Sequence, residues 1–207
     1  KPVRSGADLR QRFFETAVAA GITHVSEGRT MADFRGVTLL PGRREAAPPP
    51  GCETLPADRW IDFQDDTFRL ANPGVWVALT ADPAASDGVA ARMPGTHHEW
   101  AVQLPLEAPE LGRGRAAKWR VAVVVRTERT GQDGVAFTYG IYDATTRTNL
   151  AAGSVHVSNL AGDGYLSYDL GAHEARAGRM LWVAPAANPG NVPAIWVDRV
   201  VLVGTDD

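Results

Sequence analysis

Aromatic and polar side chains set within apolar segments are the groups of this sequence that could perform chemistry. Trp76 and Trp196 alternate with apolar neighbours, so strand parity predicts that both rings point away from the main apolar face. Arg120, Tyr142 and His156 have the same outward parity. Sugar rings stack their apolar faces on aromatic rings, and their hydroxyl groups bond to polar side chains. These five residues therefore predict a carbohydrate-binding face.

Three further tryptophans are expected in the interior. Trp100, Trp119 and Trp182 share the alternating positions of the apolar residues in their segments, so we predict that they belong to the core. An alternative stays open for the two outward tryptophans, Trp76 and Trp196. Both could pack beneath loops or against the N-terminal segment, and they would then be unable to hold a ligand.

An aspartate interrupts the last apolar segment, IWVDRVVLV. A carboxylate at Asp198 is costly there unless a cation or hydrogen-bond donors compensate it. Asp62, Asp65 and Asp66 lie on the first predicted strand of the same domain and its turn, and first and last strands are commonly neighbours in a jelly roll. Calcium prefers carboxylate and carbonyl oxygens, so a calcium site is one prediction. A salt bridge from Asp198 to an arginine across the sheet is the alternative.

Motifs of the common enzyme classes are missing from the sequence. It has no GxGxxG or GxxxxGK[ST] phosphate loop, no GxSxG nucleophile elbow and no HExxH zinc motif. His97, His98 and Glu99 are adjacent, so on an extended segment the two imidazoles point to opposite faces. We expect them to be polar loop residues. Acidic residues are present, but their spacing does not show which pair would face each other in a glycosidase cleft.

A second enzymatic possibility is a jelly-roll polysaccharide lyase. Such enzymes neutralise a uronate with a cation and move a proton with tyrosine or histidine. Arg126 with Glu128, and Tyr139 with Tyr142, resemble parts of that set, but the chain has no Gln-x-His element. No catalytic residue is therefore assigned. A non-enzymatic role is favoured for this chain, while catalysis stays open.

Composition excludes several classes of protein. The 207 residues carry 21 Lys and Arg against 24 Asp and Glu, a net charge of −3 that excludes a general nucleic-acid binder. No apolar run approaches the roughly 20 residues of a membrane span. A single cysteine, Cys52, excludes an internal disulfide framework and a multi-cysteine zinc site. The 21 Gly and 14 Pro predict frequent turns.

The first 57 residues differ from the rest. Apolar residues at spacings of three and four predict an amphipathic helix over 7–20. We predict a helical arm over 1–40, either the tail of a preceding catalytic domain or a segment packed on the next domain. Residues 41–57 hold five prolines and predict a semi-rigid linker. The chain starts at Lys1 without a signal peptide, so we expect it to derive from a longer protein.

Residues 58–207 predict a sandwich of antiparallel strands. Short β-branched and aromatic runs recur and end at Gly, Pro, Asn or Asp, with no helix-length periodic segment that would allow parallel βαβ units. Strands are predicted near 60–64, 67–71, 75–81, 89–93, 99–104, 118–127, 135–143, 153–159, 165–170, 180–185 and 195–203. The predicted fold class is mostly β: an antiparallel jelly-roll β-sandwich with a short N-terminal helical arm.

Three segments of the predicted sandwich resemble the non-catalytic carbohydrate-binding modules of glycoside-degrading enzymes. They are WIDFQDDTFRL, DPAASDGVAARMPG ahead of EWAVQL, and IWVDRVVLV. The segment FFETAVAAGITHVSEGRTMADFR resembles the tail of a glycosidase-like α/β barrel, an order similar to that of bacterial proteins with a glycoside-hydrolase-like catalytic domain. The resemblance implies a structural calcium ion on Asp62 and Asp198. It implies no catalytic residue, because barrel active sites lie on strand ends that this chain lacks.

The expected function is that of a non-catalytic carbohydrate-binding module of a bacterial polysaccharide-degrading protein. Its expected partner is a polysaccharide or oligosaccharide, without nucleic acid or a membrane span. We expect a secreted or periplasmic location, and a monomer or part of a longer multidomain chain. Two alternatives stay open: a structural sandwich that supports a catalytic domain, and a jelly-roll polysaccharide lyase.

Overall fold

The computed structural model describes residues 24–27, 35–38, 44, 46–56, 58–107 and 118–205. The chain divides into two compact units, Lys1–Arg43 and Arg44–Asp207. In the first unit, β1 (His24–Glu27) pairs with β2 (Arg35–Thr38) as an antiparallel hairpin. The helix predicted over 7–20, and with it the helical arm, lies outside the described residues.

The described part of the second unit is built mainly from strands. Its strands are β3 (Trp60–Gln64), β4 (Arg69–Leu70), β5 (Ala78–Ala81), β6 (Val89–Pro94), β7 (Val102–Pro105), β8 (Trp119–Glu128), β9 (Val135–Asp143), β10 (Thr148–His156), β11 (Leu166–His173), β12 (Arg179–Pro185) and β13 (Ala194–Gly204). Short 3₁₀ turns follow β3 and β10. Within the described residues, no helix is long and apolar enough to cross a membrane.

These strands form two antiparallel sheets. The five-stranded sheet has the order β10-β9-β12-β7-β4, and the six-stranded sheet includes the order β11-β8-β13-β6-β5. Strand β13 is central: β8 pairs along one side of it, while β6 and then β3 pair along the other. The prediction of a mostly β, antiparallel sandwich is confirmed.

Alternating side chains fill the space between the two sheets. In β8, Trp119, Val121, Val123 and Val125 are buried in the main core, as their parity predicts. The core aromatics Phe137, Tyr139 and Tyr168 contact one another, with ring centroids 5.0 to 5.8 Å apart. Burial together with the nearby Tyr139 raises the pKa of Tyr168 to about 12.

Strand β13 departs from the alternation expected over residues 195–203. Its pairing with β8 passes directly from Val197 to Arg199, so Asp198 is the extra residue of a β-bulge. Before the bulge Ile195 and Val197 enter the core, and after it Val200 and Leu202 do so. Unbroken alternation over 195–203 would place Val201 and Val203 opposite Trp196, but the bulge moves both to the face that Trp196 occupies.

Two segments cover the outer face of the six-stranded sheet, meaning the face turned away from the other sheet. One is the turn over residues 82–88, and the other is the described part of the Pro-rich segment, residues 46–56. Arg44 donates from its backbone N–H to the Asp87 carbonyl (2.6 Å) and from its guanidinium to the Ala85 carbonyl (2.6 Å). Cys52 is only 3% exposed. This part of the predicted linker is therefore packed on the sandwich.

The five-stranded sheet has a position where no side chain fits. A Cβ atom on Gly140 would lie 2.6 Å from the Ala151 carbonyl oxygen and 2.8 Å from Cζ2 of Trp182. We expect Gly140→Ala to lower the free energy of unfolding by about 1–3 kcal/mol, because the sheet must shift to admit the methyl group. Urea denaturation measures this loss.

Gly162→Ala is the matched control, since a Cβ there meets nothing within 4 Å. Its effect should stay within about 0.5 kcal/mol. Equal stabilities for the two variants would show that the ring of Trp182 does not lie against Gly140.

Candidate functional site

The five residues predicted to bind carbohydrate lie on three different surfaces. Tyr142 and His156 are on the outer face of the five-stranded sheet. Arg120 and Trp196 are on the outer face of the six-stranded sheet, and Trp76 precedes β5 in the turn that follows β4. The structure therefore does not bring the five together as one site.

Trp76 is half-buried and packs against the main core. Its ring stacks on His97, with centroids 6.0 Å apart and planes at 29°. The Glu99 backbone N–H donates to His97 Nδ1 (3.2 Å), so Nε2 carries the proton and donates to the Trp76 carbonyl (2.9 Å). These hydrogen bonds join the turn that holds Trp76 to the turn that holds His97. Both residues therefore have a structural role. A role in sugar binding stays a prediction for Trp76.

Trp196 points away from the main core, as predicted, but it is covered. It forms a second buried cluster with Ala85, Ala90 and Ala194, and it is only 8% exposed. The Arg126 guanidinium lies over its ring, with Cζ 3.8 Å from the centroid. This is the alternative in which the ring packs beneath a loop, and a sugar would have to displace that cover.

Asp82 holds Arg126 in this position. Its Oδ2 accepts hydrogen bonds from Arg126 Nη2 (2.7 Å), Arg126 Nε (3.0 Å) and the Tyr165 hydroxyl (2.7 Å). Burial of Asp82 opposes ionisation, but the bonds from Tyr165, Arg126 and the Ala84 N–H outweigh it and lower the Asp82 pKa. Burial and the Asp82 carboxylate raise the pKa of Tyr165. This network fixes the 82–88 turn on the sheet.

The same geometry bears on the lyase alternative. Arg126 is engaged by Asp82 on the six-stranded sheet, and Tyr139 packs against the core between the sheets. Tyr142 lies on the outer face of the five-stranded sheet. These groups are therefore separated by the thickness of the sandwich and cannot act on one substrate bond.

Asp62 and Asp198 both lie beside Arg199. Arg199 Nη1 is 3.2 Å from Asp62 Oδ2, and Arg199 Nε is 3.6 Å from Asp198 Oδ2. Asp198 Oδ1 also accepts from the backbone N–H (3.0 Å) and hydroxyl (2.9 Å) of Ser86. Burial raises the pKa of both carboxyl groups, against the opposing effect of these partners. The bulge brings Asp198 and Arg199 to the same face.

This donor set fits a guanidinium better than calcium. The positive charge between the two carboxylates belongs to Arg199, and calcium would have to displace it. In the described part of the chain, no group of three or more His, Cys, Asp or Glu side chains could hold a metal ion. One carboxylate oxygen, Asp62 Oδ1, is buried without a hydrogen-bond partner. The calcium site on Asp62 and Asp198 stays a prediction from the sequence.

Two tryptophans expected in the core instead form an aromatic platform with Tyr142. Trp182 alternates with the core residues Leu181 and Val183, which places it on the outer face of the five-stranded sheet. Trp100 stacks on Trp182, with ring centroids 4.5 Å apart and planes at 9°. Tyr142 meets the Trp100 ring edge-on at 5.4 Å. Only Trp119 fulfils the expectation of a core position in full.

Hydrogen bonds hold this aromatic platform in place. Trp182 Nε1 donates to Asn149 Oδ1 (3.1 Å), and Gln103 Nε2 donates to the Trp100 carbonyl (2.8 Å). Trp182 is only 5% exposed, whereas Trp100 and Tyr142 are half-buried. Trp100 therefore offers the accessible ring. Strand parity around Trp182 in MLWVAP is the signal that could have identified the platform from sequence.

Polar, mostly uncharged side chains surround the aromatic platform. By strand register, the described outer-face positions of this sheet include Arg69, Gln103, Thr138, Asn149, Ser154 and His156. None of the outer-face strand positions described on this sheet holds Asp or Glu. A pair of carboxylates for glycoside hydrolysis is thus missing from these strand positions. The face can stack on a ring and exchange hydrogen bonds with hydroxyl groups.

Comparisons with known proteins give structural neighbours only. No model of a known protein family matches the sequence, and no curated protein matches it. The chain is similar to the C-terminal CBM6 of LamC, a marine laminarinase from Zobellia galactanivorans (TM-score 0.44, 11% identity, 70% of this chain and 98% of that one). It is also similar to CBM27-1 of Caldicellulosiruptor saccharolyticus in complex with mannohexaose (TM-score 0.39, 11% identity, 72% and 98%).

A third neighbour is the GH26-CBM35 β-(1,4)-mannanase of Podospora anserina (TM-score 0.46, 10% identity, 72% of this chain). The chain spans only 28% of that mannanase. At these TM-scores and identities the likeness carries no functional argument. The case for function therefore depends on the surfaces described above.

Arg199 is expected to stabilise the strand junction without help from calcium. Arg199→Met keeps most of the buried aliphatic side chain but removes the positive charge beside two buried carboxylates. This should lower the free energy of unfolding by about 3–5 kcal/mol. In the unmodified chain, a calcium chelator should leave the melting temperature unchanged, because the guanidinium already balances the charge. Calorimetry with and without chelator measures both effects. A chelator-induced fall that calcium restores and Asp198→Asn abolishes would instead establish the predicted calcium site.

Asp82 is expected to make stability depend on pH. Its folded-state pKa is lowered, so its contribution is present above the unfolded pKa of about 3.9 and is lost as pH falls through the folded value. At neutral pH, Asp82→Asn should lower the free energy of unfolding by about 1–3 kcal/mol. This difference from the unmodified chain should shrink in acid. Urea denaturation as a function of pH measures it. Asp163→Asn, at an 80% exposed ion-pair side chain, should change little at any pH.

Proposed function

We propose that the sandwich is a non-catalytic carbohydrate-binding module. The observation that carries this proposal is the aromatic platform formed by Trp100, Trp182 and Tyr142 on the outer face of the five-stranded sheet. An aromatic stack on the outside of a sandwich contributes nothing to its main core. It is suited to a ligand that has a flat apolar face.

The platform needs little reordering to bind. Trp182 is held by Asn149 and lies against Gly140, and Trp100 is stacked on Trp182. Fixed aromatic rings lose little conformational entropy on binding, so more of the stacking energy appears as affinity. The pyranose face would stack on Trp100, and its hydroxyl groups would meet the amide and hydroxyl groups of the same sheet face.

A binding role is favoured over catalysis by the arrangement of charged groups. The lyase-like residues lie on separate surfaces, and the outer-face strand positions around the aromatic platform hold no described carboxylate. A face that stacks and hydrogen-bonds but has no acid–base pair retains a polysaccharide without cleaving it. The module would then hold a catalytic domain close to its substrate, in a secreted or periplasmic bacterial protein.

Trp100→Ala should weaken polysaccharide binding by about tenfold or more, because it removes the accessible ring, a loss of about 1.4 kcal/mol. Affinity electrophoresis of the full chain in a panel of neutral polysaccharides, followed by titration calorimetry, measures the change. Trp100→Tyr keeps an aromatic ring and should retain part of the affinity, which separates lost stacking from a folding defect.

Trp76→Ala is the matched control, because Trp76 is also half-buried and its ring stacks on His97, whereas the platform contacts are those of Trp100 with Trp182 and Tyr142. Binding that survives in Trp76→Ala but is lost in Trp100→Ala supports the proposal, and the reverse would favour the site predicted from sequence. Absence of retardation across the panel would favour the structural-sandwich alternative. Release of unsaturated products from a uronic-acid polymer would establish the lyase.

A further inference from the structure

The outer face of the six-stranded sheet contains a cavity of about 390 Å³. Ligand pockets in proteins usually measure about 300–1,000 Å³ and combine an apolar lining with a few polar groups. The floor of this cavity is made by small and branched side chains of β8 and β13, namely Ala122, Val124, Val201 and Val203. None of these residues belongs to the main core, so their apolar surface has no partner across the sandwich.

Fixed segments form the walls. Pro49, Pro50 and Cys52 line one side, and Arg199 donates from Nη1 to the Ala47 carbonyl (2.8 Å) just before them. Another part of the wall is the 82–88 turn, whose Ser86 is tied to Asp198 by two hydrogen bonds. The β-bulge thus anchors both walls, and the cavity is part of the folded sandwich.

Polar groups are available at the rim and in the wall. Arg120 and Asp169 form an ion pair at the rim, with Arg120 Nη2 2.5 Å from Asp169 Oδ2. Arg120 bonds to Asp169 through Nε and Nη2, which leaves Nη1 outside this pairing. Ser167, two positions before Asp169 on β11, also lines the cavity. In the wall, the buried Arg199 Nε has no hydrogen-bond partner, although it lies 3.6 Å from Asp198 Oδ2.

The charges of the lining indicate a neutral ligand. Two arginines, Arg120 and Arg199, face two aspartates, Asp169 and Asp198, so the lining carries no net charge. A neighbouring guanidinium and carboxylate can donate to one hydroxyl and accept from the next, which suits a vicinal diol. The apolar floor suits the C–H face of the same ring. We propose that this cavity binds a single neutral sugar ring, such as the end of a glycan chain.

This site would be separate from the aromatic platform, since the two occupy outer faces of different sheets. The platform is open and suits an extended chain, whereas the cavity is walled and suits one ring. The domain would then hold two glycan segments at once. Because the two sites share no residue, the cavity proposal stands or fails independently of the platform.

The test is ¹⁵N-resolved NMR titration of the full chain with methyl glycosides of glucose, galactose, mannose, xylose and arabinose. Binding in the cavity should shift the amide signals of Ala122, Val124 and Ser167 in a saturable way. Asp169→Asn should raise the Kd by about tenfold or more, since it removes an acceptor of a charged hydrogen bond. Asp163→Asn is the matched control, because its ion pair with Arg129 lies outside the cavity lining.

Two further measurements make the outcome decisive. Cys52 lines the cavity but is only 3% exposed, so its reaction with N-ethylmaleimide should be slow, and a bound sugar should slow it further. Trp100→Ala should leave the shifts at Ala122 and Ser167 unchanged. The proposal is overturned if no glycoside shifts these signals at millimolar concentration, if Asp163→Asn weakens binding as much as Asp169→Asn, or if the shifts disappear in Trp100→Ala.

Discussion

The outer face of the six-stranded sheet is organised around one β-bulge in its central strand. Strand β13 pairs with β8 on one side and with β6 and β3 on the other, and Asp198 is the residue that has no partner in β8. The extra residue reverses the parity of the strand. Asp198 and Arg199 consequently lie on the same outer face, instead of on opposite faces as in a regular strand. There, ion pairs and hydrogen bonds hold both side chains.

The bulge has consequences beyond β13. Asp198 binds Ser86 and so holds the 82–88 turn, while Arg199 binds Asp62 and the Ala47 carbonyl. Burying these charges is costly, and the cost is offset because every carboxylate has a donor close by. The arrangement joins the first strand, the last strand and the Pro-rich segment, and it leaves the walled cavity between them.

The two outer faces are used differently. On the six-stranded sheet, an outward tryptophan is covered by Arg126, Asp82 and Tyr165, which makes Trp196 part of a second, smaller core. On the five-stranded sheet, Trp100 and Trp182 stack on each other, and no arginine of the described residues is found over either ring. A tryptophan of outward parity can therefore be structural or accessible, and the loop above it decides which.

The local sequence pattern was sufficient to predict most of the strands of the sandwich. All eleven predicted strands of the sandwich are present, and β3 and β9 match their predicted bounds. Where limits differ, local chemistry explains the difference: Val75 and Trp76 belong to a turn with positive φ at Asn72 and Gly74, so β5 begins only at Ala78. Strand β10 begins at Thr148, ahead of the predicted start at residue 153. Its first three residues are exposed, so no alternation of buried side chains marks them in the sequence.

The sequence by itself determined the class of fold, the parity of β8 and β9, and the outward direction of Trp196, because these depend on alternation within one strand. Tertiary structure alone decided which outward rings are covered, which charges meet and where the cavity lies. Those outcomes depend on contacts between residues far apart in the sequence, such as Arg126 with Trp196 and Ser86 with Asp198. The bulge in β13 belongs to the same group, since it becomes visible only when the neighbouring strand is paired with it.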